Sequence, residues 1–189
     1  MNVGVIKNSN LCVAPETLIL TDNGNQMIKT LKDQEVQVWN GEDFSTTIVR
    51  QTGTNQPIIT IGFEHGRILR CTPYHKFYVN KSENEVRAID LKVGDVVICV
   101  VPDEDVALSS SYTSVSYVQD LKETADTYCF NEPKLHRGVF NGILAGNCAE
   151  VTLVQDPKDE TIAVCNLAAI PLATYVNNQK TFDFETLSK

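Results

Sequence analysis

Cys12, Asn147 and Cys148 form a set of side chains able to cut and rejoin a polypeptide. The thiolate is the natural nucleophile among side chains. Cys12 can attack the carbonyl of Leu11 and convert the peptide bond into a thioester. Cys148 can attack that thioester and take over the upstream segment. The side-chain amide of Asn147 can cyclise onto its own backbone carbonyl and release the bond to Cys148. In series, these reactions excise the stretch between the two cysteines and join its flanks.

A peptide bond resists such attack, because its resonance sets a rotation barrier of ~18–20 kcal/mol. Twisting the amide, protonating its nitrogen or holding donors on its oxygen lowers that resistance. A histidine with a neighbouring hydroxyl can do this. The run Arg70-Cys71-Thr72-Pro73-Tyr74-His75-Lys76-Phe77 supplies both, three residues apart across a proline-led turn.

The elements that must position these groups read as short strands. β-type runs at 17–20, 35–39, 44–49, 58–63, 67–71, 76–79, 85–88 and 96–101 are separated by turn signals. Asn40-Gly41 and His65-Gly66 each lie between two such runs, a hairpin pattern. Only 29–34 and 89–92 suggest single helical turns. The stretch 102–116 holds Pro102 and Ser109-Ser110-Ser111 and reads as an exposed loop. Strand-like runs resume at 115–118, 127–130 and 143–145, with Asn141-Gly142 as a further hairpin turn. The pattern predicts an all-β domain. Beyond Cys148 the character shifts: 149–154 reads as a strand, 156–160 as an acidic turn, and the Ala/Leu-rich 161–175 as helix.

The net charge of −8 argues against a nucleic-acid backbone or an anionic membrane as main partner. No apolar run approaches the ~20 residues of a membrane span, and residues 1–10 lack a signal-peptide core. A cytoplasmic location is expected. The six cysteines, at 12, 71, 99, 129, 148 and 165, include no C-x-x-C pair, so neither a zinc site nor a disulfide framework is expected.

Taken together, the motifs resemble the conserved blocks of inteins. Cys12-Val13-Ala14-Pro15-Glu16-Thr17-Leu18-Ile19 followed by Gly24 resembles their opening block, and Gly66-Arg67 with Thr72-Pro73-Tyr74-His75 resembles the second. Asp90-Leu91-Lys92-Val93-Gly94-Asp95 is similar to the element that follows. Thr127-Tyr128-Cys129, His136 and Asn141-Gly142-Ile143-Leu144 ending at Asn147-Cys148 resemble the closing blocks. The resemblance covers 136 residues, 12–147, the size of a mini-intein lacking a homing endonuclease near 102–116. It implies the all-β horseshoe shared by inteins and hedgehog autoprocessing (Hint) domains.

The flanks, 1–11 and 148–189, carry a second resemblance. Joined, Ser9-Asn10-Leu11 and Cys148-Ala149-Glu150 are similar to a stretch of ribonucleotide reductase large subunits, as is Ala163-Val164-Cys165-Asn166-Leu167-Ala168. This implies that a mature reductase would convert ribonucleotides to deoxyribonucleotides and pair with a small subunit. Cys148 would then be a redox cysteine, and Cys165 a buried structural one.

By the resemblance to inteins, Cys12 performs the N-to-S acyl shift at the Leu11–Cys12 junction. Thr72 and His75 strain and polarise that bond, Cys148 performs transthioesterification, and Asn147 cyclises at the Asn147–Cys148 junction. No cofactor is implied, and the substrates are the chain's own flanks. Two departures stand out. Gly146 occupies the penultimate position where many inteins carry His, which predicts slow C-terminal cleavage unless His136 compensates. Cys129 replaces a usual Asp; it either takes part in the branching steps, by proton transfer or a transient thioester, or is structural. His65 is expected in a turn, Trp39 in the core, Asp103–Asp105 on a solvated face, and Cys71 and Cys99 packed. The competing readings are a reductase fragment with a splicing-inactive β insertion, and a hedgehog-like domain that cleaves only its upstream side.

Overall fold

The computed structural model describes residues 11–79, 85–101 and 108–147, all within one compact unit, Met1–Thr152. Cys148, Cys165, Asp103–Asp105 and the elements expected beyond 148 lie outside the described residues.

The described residues form twelve strands: β1 Leu18–Thr21, β2 Gly24–Met27, β3 Glu35–Trp39, β4 Phe44–Ile48, β5 Arg50–Phe63, β6 Ile68–Cys71, β7 Lys76–Tyr78, β8 Glu85–Arg87, β9 Val96–Val101, β10 Ser109–Cys129, β11 Arg137–Phe140 and β12 Ile143–Gly146. Single 3₁₀ turns at Ile28–Leu31, Glu64–Gly66 and Ala88–Asp90 are the helical content of the described residues. The first and last match the two expected helical turns. Every strand pairing among the described residues is antiparallel. The order runs β4-β3-β1-β11-β12-β9-β10-β5-β6, with β2 on β1, β7 on β12 and β8 on β7.

Turn chemistry sets the registers. Asn141 and Gly142 have φ of 49° and 79° and connect the paired residues Phe140 and Ile143, the two-residue geometry that Asn-Gly favours. The Asn141 side chain also accepts from the Leu18 amide at 2.7 Å and donates to the Ile68 carbonyl at 2.7 Å, tying β11–β12 to β1 and β6. The loop at Asn40-Gly41 is longer than the dipeptide implies. Trp39 pairs with Phe44, and Asn40 accepts from the amides of Glu42 and Asp43, each at 3.0 Å. His65 and Gly66 both have positive φ and lie in the β5–β6 turn, as expected.

The loop expected over 102–116 is corrected from Ser109 onward; residues 102–107 lie outside the described residues. Ser109–Ser114 is strand, in register with Val101–Val96 of β9. The polar serines hid it, since backbone bonds to the β-branched run of β9, and not side-chain burial, hold this part of the ladder. β10 then continues to Cys129 along β5, with a bulge where Gln119 faces Thr60 but Glu123 faces Ile58. Strands β2 and β11 and the first half of β5 were also missed. In β2 and early β5 few side chains are buried, so period-2 patterning is weak there.

The core gathers Ile19, Ile59, Ile61, Leu69, Phe77, Phe140 and Ile143, all essentially buried. Burying one such side chain contributes roughly 1.5–3 kcal/mol. Trp39 is only partly buried and packs against a smaller cluster of Val100, Val139 and Leu144. Cys71 and Cys99 are packed in the main core, where burial pushes the Cys71 thiol up, away from nucleophilic behaviour.

Candidate functional site

Cys12 is fully buried, at the start of a short extended segment threaded between β6 and β10. Val13 and Tyr128 exchange both backbone hydrogen bonds at 3.0 Å, and the Ala14 amide donates to the Arg70 carbonyl at 2.9 Å. Because Val13 and Tyr128 form a hydrogen-bonded pair, Cys12 and Cys129 are the next pair along. That is the non-hydrogen-bonded kind, in which side chains lie closer. They form a small buried cluster with Leu11. The Cys129 thiol donates to the Phe130 carbonyl at 3.4 Å.

The turn after β6 brings Thr72 to the same residue. The Thr72 amide donates to the Cys12 carbonyl at 2.9 Å. Its Oγ1 lies 3.2 Å from the Cys12 nitrogen, whose N–H it accepts, and 3.3 Å from the Cys12 carbonyl oxygen. The turn closes with the His75 amide donating to the Thr72 carbonyl at 3.0 Å, with Pro73 pre-set at its first central position. The 3₁₀ turn after β8 braces it: Ile89 donates to Pro73 at 3.0 Å and Ala88 to His75 at 2.7 Å. His75 is fully buried, its ring edge-on to Phe77 and Phe140 at centroid distances of 5.4 Å each.

The same turn leads into β7, and β7 carries the other end of the segment. Phe77 pairs with Ala145 of β12, and the next residues are Gly146 and Asn147. Asn147 is buried; its amide donates to the His136 carbonyl at 2.9 Å and its Nδ2 to the Arg137 carbonyl at 3.4 Å. Its Oδ1 is buried with no hydrogen-bond partner among the described residues. His136 is exposed and has φ of 54°, so it meets Asn147 through its carbonyl.

Glu132 shapes the turn before His136. It is buried, and its oxygens accept from the Leu135 amide at 2.7 Å, the Lys134 amide at 3.0 Å and Asn40 Nδ2 at 3.2 Å. Burial pushes its carboxyl up, but the Leu135 amide, Ser45, the Lys134 amide and Asn40 outweigh that and bring it to about 2.

Sequence reasoning missed two residues here, Glu132 and Thr52, and gave Thr127 a place in a motif but no contact. The Thr52 hydroxyl donates to Cys12 Sγ at 2.8 Å and lies 3.2 Å from the hydroxyl of Thr127. No local pattern marks a threonine in a half-exposed strand; only the β5–β10 register brings it to Cys12. Among the described residues no group of three His, Cys, Asp or Glu side chains is placed to hold a metal. No helix among them is long and apolar enough to cross a membrane.

The chain matches the family described as ribonucleotide reductase, barrel domain, over residues 1–189. It is 48% identical over 82 residues to the ribonucleoside-diphosphate reductase large subunit of Invertebrate iridescent virus 6, an alignment covering 43% of this chain and 9% of that protein. Ribonucleoside-diphosphate reductase NrdEB subunit alpha of Bacillus subtilis is 34% identical over 115 residues, covering 51% of this chain and 10% of the relative. The chain thus spans about a tenth of the length of these relatives. In structure it is similar to the TvoVMA intein (TM-score 0.63, 21% identity, 72% of this chain and 98% of that one). It is also similar to a DnaB intein from Synechocystis sp. PCC 6803 (TM-score 0.59, 18% identity, 72% and 98%). The described domain therefore has the all-β Hint fold of inteins.

Proposed function

Because this chain belongs to the ribonucleotide reductase barrel-domain family and folds in its middle as a Hint domain, we propose that residues 12–147 are a self-splicing mini-intein between reductase segments 1–11 and 148–189. The observation that carries the reading is the Thr72 hydroxyl, set against both the amide nitrogen and the carbonyl oxygen of Cys12.

In the first step Cys12 Sγ bonds to the Leu11 carbonyl carbon, the Leu11–Cys12 C–N bond breaks, and the thiol proton ends on the released nitrogen. Thr72 stands at that nitrogen and can hand over a proton as the bond breaks. His75, from the same turn, polarises the junction. Cys148 Sγ then attacks the thioester carbon and frees the Cys12 thiol. Asn147 Nδ2 attacks its own carbonyl carbon, breaking the bond to Cys148 and closing a succinimide. The buried side chain, donating to Arg137, favours this local attack. An S-to-N shift finally makes the Leu11–Cys148 peptide.

Each step exchanges one acyl bond for another, so no oxidant, cofactor or energy source is needed. Proximity replaces them, since well-oriented groups reach effective molarities of ~10⁵ M or more. The substrate is the chain's own flanks, with no role for nucleic acid or membrane, and the site of action is the cytoplasm. The spliced reductase would reduce ribonucleotides with a small subunit as partner, using Cys148 as a redox cysteine.

Mass spectrometry of the expressed chain tests this. Splicing yields a 136-residue excised domain and a 53-residue ligated product. Full-length chain alone after prolonged incubation favours the inert insertion, and upstream cleavage without ligation the hedgehog-like reading.

A further inference from the structure

We infer that Thr52 is a hydrogen-bond donor to the splicing nucleophile, held in place by Thr127. The inference rests on the splicing reading above and adds a residue to its first step.

The β5–β10 ladder slips at this point. Tyr128 faces Gln51, but the preceding residue, Thr127, faces Gly53. Two consecutive residues of β10 therefore span three of β5, and Thr52 is the extra one, a β-bulge. Bulges re-aim side chains and are over-represented next to active sites. This one puts the Thr52 hydroxyl 2.8 Å from Cys12 Sγ. Thr127, fully buried, sets its own hydroxyl 3.2 Å behind it. Gly53 leaves room for that hydroxyl: a Cβ there would stand 3.0 Å from Thr127 Oγ1 and 2.6 Å from Gln56 Cγ.

The chemistry needs a donor at this place. Before the Cys12 sulfur bonds to the Leu11 carbon it gives up its proton and gathers negative charge inside a fully buried site. A charge out of water is costly without a hydrogen-bond partner. Thr52 has one hydroxyl proton; with that proton turned to sulfur, the 3.2 Å bond between the two hydroxyls runs from Thr127 to Thr52. The pair thus stabilises the developing thiolate and fixes the direction from which it attacks. Thr72 serves the departing nitrogen, and Thr52 serves the arriving sulfur.

The test isolates the first step. A precursor carrying Asn147→Ala and Cys148→Ala is treated with a small-molecule thiol, and upstream cleavage is followed against pH. Thr52→Val keeps the shape and removes the hydroxyl. It is expected to slow cleavage about ten- to a hundred-fold, the loss of one hydrogen bond to a charged group, and to move the rate profile to higher pH. Thr52→Ser restores most of the rate and the original profile, and Thr127→Val shows a smaller loss with the same direction of shift. Cleavage of Thr52→Val at the parental rate, or a loss that Thr52→Ser shares equally, or an unmoved pH profile overturns the inference alone. A parent precursor that forms no thioester overturns the splicing reading and this inference together.

Discussion

One residue, Thr72, is hydrogen-bonded to Cys12 at both ends of that residue: its hydroxyl lies 3.2 Å from the Cys12 nitrogen and its backbone amide 2.9 Å from the Cys12 carbonyl oxygen. The amide bond holds the junction in place whatever the side chain is, while the hydroxyl alone faces the bond to be broken. Thr72→Val should therefore keep the fold and slow thiol-induced upstream cleavage about 10²-fold, the lower range for general acid–base assistance. Thr72→Ser should recover most of it. Cleavage of the Val variant at the parental rate would remove Thr72 from the mechanism.

Cys129 is the cross-strand neighbour of Cys12, and this gives the substitution at the usual Asp site a direct test. If its thiol takes part in branching, Cys129→Ala should slow ligation while leaving thioester formation intact, and Cys129→Asp should restore ligation. Product ratios by mass spectrometry measure this. Equal splicing in Cys129→Ala and the parent would make the residue structural.

Gly146 can be tested against the space around it. A Cβ there would lie 3.3 Å from Lys76 Cβ and 3.6 Å from the Lys76 carbonyl. Since the His136 ring makes no hydrogen bond to Asn147, the proposed cyclisation would lack the help a penultimate histidine would give. Gly146→His should speed C-terminal cleavage of a Cys12→Ala precursor by about ten-fold or more, at a stability cost of about 1–3 kcal/mol for the overpacked contact. Unchanged cyclisation would mean that the Asn147 geometry, and not an acid or base, limits the step.

Glu132 predicts a pH dependence. Its folded value of about 2 lies below the ordinary glutamate value of 4.5. A depressed carboxyl contributes stability that is fully present above about pH 4.5 and is lost as pH falls toward 2. The shift corresponds to about 3 kcal/mol. In a splicing-dead precursor (Cys12→Ala, Asn147→Ala), Glu132→Gln should lower Tm at pH 7, with the gap to the parent closing by pH 2. A gap that is constant with pH would show that the carboxylate charge does not matter.

Cys12, Asn147 with Cys148, and the pair Thr72 and His75 could be singled out from the sequence as candidates, because the chemistry proposed for them depends on residue type and order along the chain. The hairpins at His65-Gly66 and Asn141-Gly142 were legible for a related reason: positive φ is a local property that few residues accept. The tertiary structure alone decided what those groups touch. Cys129 faces Cys12 because Val13 and Tyr128 pair across 115 residues of chain. Ser109–Ser114 is strand because β9 supplies its hydrogen bonds, and Thr52 reaches Sγ because a ladder slips by one residue. Even His136, named from its sequence position, meets Asn147 by its backbone and not its ring. Strand register is a long-range quantity set by packing and bulges. The candidate residues could therefore be picked out along the chain, while the contacts that place them are made across the sheet.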